Sequence, residues 1–107
     1  MSFPLDPNAL GGLMSGFQQK IADMKAEAAT AEVTGQAGGG LVKVVANGGL
    51  EVVRVELSDD VMDDREMLED LVVAATNDAL RSARGILEGK MQQVMGGLPI
   101  PPGLMGL

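Results

Sequence analysis

The sequence predicts an α+β fold in which three antiparallel strands lie between an N-terminal helix and a long C-terminal helix. Apolar residues recur at three- and four-residue steps in two segments, and they alternate with polar residues in the segment between them. With 107 residues, the chain is long enough for one domain. We expect an irregular lead-in at 1–8, the domain at 9–95, and a Pro- and Gly-rich tail at 96–107. The tail is predicted to be flexible, with a short apolar docking segment as the alternative.

The first helical pattern runs from Ala9 to Ala29, and Asn8 is placed to cap it. One stripe carries its apolar side chains, namely Leu10, Met14, Phe17, Ile21, Met24 and Ala28. Glycines at positions 11, 12 and 16 weaken the first turns, each by up to about 1 kcal/mol relative to alanine. A firm helix is therefore expected only from about Phe17.

The segment Glu32–Leu57 is rich in valine and alternates with a period of two, as half-buried strands do. A first strand is expected at about Thr30–Gln36, and Gly38–Gly40 forms the bend that follows it. Asn47-Gly48-Gly49 supplies residues that tolerate positive φ, which a tight hairpin needs. Pairing through this hairpin places one set of side chains on an apolar face: Val42, Val44, Ala46, Val53, Val55 and Leu57. Lys43, Arg54 and Glu56 lie on the opposite face.

The second helical pattern covers about Asp64–Met95. The spacing of Asp63 and Glu66 fits a capping box at its start. One face carries Leu68, Val72, Ala75, Ala79, Ala83 and Ile86, and Arg81 and Arg84 lie on the solvent-facing side. At 1.5 Å per residue such a helix is roughly 45 Å long, more than a three-stranded sheet can cover. The over-long helix and the small, methionine-rich core predict a homodimer.

The formal charge is −7, but a single connector holds most of it. Residues 58–70 contain seven acidic residues and one arginine, whereas residues 71–107 carry a net charge of +1. The acidic cluster is more simply explained by capping of the second helix than by a metal site. The net charge argues against attraction of a polyanion by overall charge alone.

Catalytic chemistry finds little support in the sequence. The chain has no His and no Cys, which removes the commonest general base and the commonest transition-metal ligands. Gly38–Gly40 precedes a strand and lacks the Gly-Lys-Ser/Thr of a phosphate loop, so a turn is the better interpretation. We therefore expect no enzyme, no cofactor and no metal. Neither a leader nor a membrane-spanning run is apparent, and a cytoplasmic protein is expected.

Several ordered motifs resemble the YbaB/EbfC family of small bacterial nucleoid-associated proteins. They are the run EVTGQAGGGLVKV at 32–44, the Asn-Gly turn, and REMLEDLVVAATNDA at 65–79, and the similarity extends from about Met14 to Met95. The resemblance implies an α-β-β-β-α fold, homodimers with projecting helices, and binding of double-stranded DNA. It implies DNA contact through basic residues on the first and last helices, which here are Lys20, Lys25, Arg81, Arg84 and Lys90. Taken singly, each of these is better explained as an ordinary solvated charge that pairs with nearby acidic residues.

The expected function is therefore that of a non-enzymatic nucleoid-associated protein that acts on nucleoid organisation or gene expression. With roughly four to six phosphates contacted, DNA binding should be weak at physiological salt and strongly salt-sensitive. No base-stacking aromatic and no base-reading motif is apparent, so little sequence specificity is expected. The alternative is an acidic protein-interaction module that works beside replication or recombination proteins with little direct DNA contact. An enzyme regulator without DNA contact is a third, weaker alternative.

Overall fold

The computed structural model describes residues 7–96. Along the chain, one long helix precedes a three-stranded sheet and a second long helix follows it. Its elements are helix α1 (Pro7–Thr30), strands β1 (Glu32–Ala37), β2 (Val42–Asn47) and β3 (Val52–Leu57), a 3₁₀ turn (Asp59–Val61) and helix α2 (Arg65–Gly96). This order confirms the predicted α+β fold. Neither described helix combines the length and the hydropathy that crossing a membrane requires.

Helix α1 begins earlier than its sequence pattern suggested. Pro7 is its first residue, a position where proline is tolerated because the first N–H groups of a helix have no internal partner. Asn8 is consequently inside the helix, and its expected role as N-cap was wrong. The helix is continuous through the three glycines. Residues 1–6 and 97–107 lie outside the described part of the chain, and with them most of the expected lead-in and tail.

The sheet has the strand order β1-β2-β3, and both pairs are antiparallel. Val42 pairs with Leu57 and Val44 with Val55, which places these four side chains on one face, as the sequence predicted. Beyond them the register shifts, and Ala46 pairs with Val52 rather than Val53. A simple period of two cannot anticipate such a bulge, because it inserts an extra residue into one strand.

The hairpin between β2 and β3 uses its residues differently from the expected Asn-Gly turn. Among the described residues, the only non-glycine with positive φ is Leu50, at 63°, and the positive-φ glycines are Gly38, Gly39 and Gly40. The amide oxygen of Asn47 accepts hydrogen bonds from the backbone N–H groups of Gly49 at 2.9 Å and Glu51 at 3.3 Å. The side chain of Asn47 thus closes the turn, and positive φ falls on Leu50 rather than on the glycines.

Gly48 is needed for a close approach rather than for turn geometry. Its N–H donates to the carbonyls of Ala28 at 2.9 Å and Ala31 at 3.0 Å, so the turn closes on the C-terminal end of α1. A Cβ at this position would lie 2.5 Å from the Ala28 oxygen. Only glycine allows this contact without displacing the helix end.

Helix α2 packs on one face of the sheet through small side chains. Its buried residues are Ala75, Ala79 and Ala83, and they join Val42, Val44, Ala46 and Val61 in one core cluster. Gly35 on β1 faces them directly, since a Cβ there would lie 2.5 Å from the Ala75 oxygen and closer still to the Ala79 nitrogen. Alanines on the helix and a glycine on the strand let the two backbones approach closely.

The helix covers β1 and β2 but contacts β3 only slightly. All six residues of β3 are exposed, including Val55 at 43% and Leu57 at 42%, although their cross-strand partners are fully buried. The predicted apolar face is therefore correct except at Val53, and helix α2 covers only part of it. One strand of that face has no cover within residues 7–96.

The start of α2 is capped by Asp64 and not by Asp63. The Asp64 carboxylate accepts a hydrogen bond from the Met67 N–H at 3.0 Å, three residues into the turn. The expected Asp63–Glu66 box was therefore displaced by one residue. Just before it, the Ser58 hydroxyl accepts from the Asp60 N–H at 3.2 Å and caps the 3₁₀ turn.

Candidate nucleic-acid interface

The five basic residues expected to contact DNA lie on α1 and α2, which run antiparallel where they meet. Between Ala9 and Thr30, the buried residues of α1 are Met24 and Ala28, and α1 contacts α2 along this C-terminal half. The N-terminal half of α1 extends past the sheet with every residue from Ala9 to Lys20 exposed. The two helices therefore form an arm that projects from the sheet.

Lys20 and Lys90 are brought together by this helix pairing. Both line a groove of about 270 Å³ between the helices, together with Asp23, Met24, Glu27, Gln93 and Val94. The Lys90 Nζ lies 3.6 Å from the Glu27 Oε2, and the Lys90 side chain is only 27% exposed. Two lysines and two carboxylates make the groove formally neutral. Through its ion pair with Glu27, Lys90 also joins the two helices.

Arg81 and Arg84 form a second basic group on another face of α2. They are three residues apart and so are neighbours on the helix surface, and both are exposed. Lys90 follows Arg81 by nine residues, about two and a half turns, and therefore points away from it. The expected DNA-contacting residues thus divide into separate groups, and Lys25 lies exposed on α1 outside the groove.

Asp78 links Arg81 to the sheet. Its Oδ2 accepts a hydrogen bond from the Gln36 N–H on β1 at 3.0 Å, while its Oδ1 lies 4.0 Å from the Arg81 Nη2. The one carboxylate anchors α2 to the first strand and partly neutralises Arg81. Within residues 7–96, Arg84 makes no ion pair.

The sequence did not point to Glu27 or Asp78 as determinants of this surface. Tertiary packing brings Glu27 to Lys90 on the other helix. It likewise brings Asp78 to the Gln36 N–H on strand β1. No local pattern in the sequence identifies the Gln36 N–H as the donor to Asp78. Across the described ranges, no three acidic side chains converge in a way that would hold a metal ion.

The acidic connector lies far from the groove. Asp70, its last acidic residue, precedes Lys90 by twenty residues of continuous helix, about 30 Å along the axis. Charges are largely screened beyond about 8 Å at physiological ionic strength. The excess negative charge at one end of α2 therefore has little effect on the field at the other.

These features define a small, extended α+β protein whose paired helices carry basic side chains on separate faces. The sequence matches the model of the YbaB/EbfC DNA-binding family over residues 5–98. It is also 47% identical over 97 residues to a nucleoid-associated protein of Polynucleobacter necessarius subsp. necessarius, covering 88% of this chain and 91% of that protein. The chain belongs to the YbaB/EbfC DNA-binding family, which confirms the resemblance seen in its motifs.

The fold is shared with a solved structure of lower sequence similarity. The crystal structure of an uncharacterized protein from Helicobacter pylori matches with a TM-score of 0.75 at 24% identity. The match covers 89% of this chain and 98% of that one. The two proteins therefore share the helix–sheet–helix fold, and at this sequence identity the similarity concerns the fold alone.

Proposed function

We propose that this protein is a non-enzymatic nucleoid-associated protein that binds double-stranded DNA as a homodimer in the bacterial nucleoid. Membership in a DNA-binding family carries the proposal. The structure supports it with basic side chains on the two long helices, among which Arg81 and Arg84 are neighbours and exposed. The same membership favours DNA over the alternative of an acidic protein-interaction module.

The proposed contact is with the phosphate backbone and carries little sequence information. Arginine and lysine side chains on a helix surface neutralise phosphates irrespective of the base pair. Phe17 is the only aromatic residue among those described, and it belongs to an apolar stripe of α1. With roughly four to six phosphates contacted per dimer, the logarithm of affinity should fall with the logarithm of salt concentration with a slope of about −4 to −5.

The proposed dimer forms through the uncovered apolar side chains of β3. Val52, Val55 and Leu57 are each more than two-fifths exposed, whereas their partners on β2 are fully buried. Strand β3 is also an edge strand of the described sheet, with one row of backbone groups left unpaired. A second copy that packs against this surface would bury both features and place two arms on one assembly.

Charge reversal of Arg81 and Arg84 tests the proposal. The variant R81E/R84E should lose measurable binding to a labelled random-sequence duplex at low salt, while its sedimentation remains that of the parent protein. Arg65→Glu is the matched control, because Arg65 is 92% exposed on the same helix but at its acidic end. Loss of binding in the control as well, or unchanged binding in the double variant, would contradict this assignment of residues.

A further inference from the structure

The N-terminal half of α1 presents an apolar surface that nothing within residues 7–96 covers. Leu10, Leu13, Met14 and Phe17, here called the arm stripe, are 47%, 73%, 58% and 37% exposed. Three of them, with Gln18, line a hollow of about 530 Å³. Contiguous apolar surface of this kind on a small protein marks a binding surface more often than a solvated one.

The end of α2 lies beside this stripe. Glu27 pairs with Lys90, and Lys20 and Asp23 share a groove with Gln93 and Val94. Each step toward the C-terminus on α2 is therefore a step toward the N-terminus on α1. Since α2 ends at Gly96, the following chain starts near the level of Lys20, about 5 Å from Phe17 along the helix axis.

The sequence that follows is suited to an apolar surface. Residues 97–107 read GLPIPPGLMGL and contain no charged side chain. They provide five large apolar side chains: Leu98, Ile100, Leu104, Met105 and Leu107. Proline fixes φ and favours the extended polyproline conformation, so the three prolines lower the entropy lost on docking. Eleven residues reach roughly 34 Å in such a conformation, against about 10 Å from Phe17 to Leu10.

We propose that residues 97–107 dock on the arm stripe of their own chain. The occupant is assigned to the same chain because α2 delivers it to one end of the stripe, so that its local concentration exceeds that of any free partner. Docking would extend the arm with a third segment antiparallel to α1. It is an interaction within one chain that does not depend on the proposed DNA binding.

The absence of cysteine makes cross-linking a clean test. The variant L13C/G103C places one thiol on the arm stripe and one on the tail without removing an apolar tail side chain. The matched control is S15C/G103C, since residue 15 is close along the axis but about 200° around the helix from residue 13. Under mild oxidation the L13C pair should form an intrachain disulfide at least fivefold faster than the control pair.

Equal rates in the two variants would overturn the proposal. A predominantly interchain disulfide, detected as a doubled mass without reductant, would assign the stripe to the tail of a second copy and would also overturn it. A second measurement is hydrogen exchange in the full chain and in a chain that stops after Gly96. Exchange at residues 10–18 should accelerate when the tail is removed, and unchanged protection there would count against docking. Neither measurement uses DNA, so its failure is distinguishable from failure of the proposed function.

Discussion

The Glu27 carboxylate of α1 lies 3.6 Å from the Lys90 ammonium of α2 and links the two helices of the arm across the groove. The pair is solvated, with Glu27 69% exposed, so its contribution to folding should be within about 1 kcal/mol. The pair also affects DNA binding, because it neutralises one of the five basic residues expected to contact DNA.

Glu27→Gln should therefore strengthen DNA binding. Two unit charges about 4 Å apart interact by about 1 kcal/mol in water, which corresponds to a gain in affinity of at most about fivefold per subunit at low salt. The salt slope should steepen by up to about 0.9 per subunit if Lys90 then contacts a phosphate. Titration of a labelled duplex measures both quantities.

Glu51→Gln is the control for this prediction, since it removes the same charge from the exposed β2–β3 turn. Equal gains in the two variants would mean that only the net charge matters. That result would remove the special role given to the Glu27–Lys90 pair.

Substitutions at Asp78 should separate its two contacts. Asp78→Asn keeps an oxygen that can accept the Gln36 N–H but removes the charge beside Arg81, so stability should change little and DNA affinity should rise. Asp78→Ala loses the acceptor as well and should lower the free energy of unfolding by about 1 kcal/mol. Urea unfolding and duplex titration of both variants would show this difference, and equal stability loss in both would contradict it.

Gly35→Ala should destabilise the protein strongly. The added Cβ would meet the backbone of α2 at Ala75 and Ala79, so the helix must move off the sheet. Overpacking of this kind costs about 1–3 kcal/mol and sometimes more. Urea unfolding measures the loss.

Gly89→Ala provides the opposite control, because a Cβ there meets no atom within 4 Å. That variant should gain up to about 1 kcal/mol from helix propensity. Comparable effects of the two substitutions would be inconsistent with the close helix–strand approach at Gly35.

Val55→Glu should dissociate the proposed dimer. It introduces a carboxylate into the uncovered apolar part of β3, where a partner would have to bury it unpaired. Thr34→Glu is the control, since it adds the same group at an exposed position of β1. Sedimentation at micromolar concentration should give a halved mass for the first variant only. A parent protein that sediments as a monomer would contradict the dimer itself.

The helices and strands were predictable because their patterns are local. Helix α2 was expected at about 64–95 and spans Arg65–Gly96, since alanines and valines at helical spacing mark a face irrespective of what covers it. The same reasoning paired Val42 with Leu57. It failed at Val52, where a bulge shifts the register, and at Leu50, where the closing hydrogen bonds of Asn47 decide which residue has positive φ.

The organisation of the candidate interface was less predictable. The basic residues were identified from the sequence and the resemblance, but their division into separate groups depends on how α1 packs against α2. Glu27 and Lys90 meet only after the chain has passed through the entire sheet. Likewise, β3 is exposed because α2 packs over β1 and β2. The spacing of apolar residues along the chain does not predict over which strands the helix packs.

The most direct test of the central proposal is a titration of a labelled random-sequence duplex with the full-length protein across a series of salt concentrations. Fluorescence anisotropy should report binding at low salt, with a log–log slope of about −4 to −5 for roughly four to six phosphates contacted. Absence of binding even at the lowest salt would contradict the account. The net charge of −7 would then outweigh the helix-borne basic residues, and the protein-interaction module would become the leading alternative.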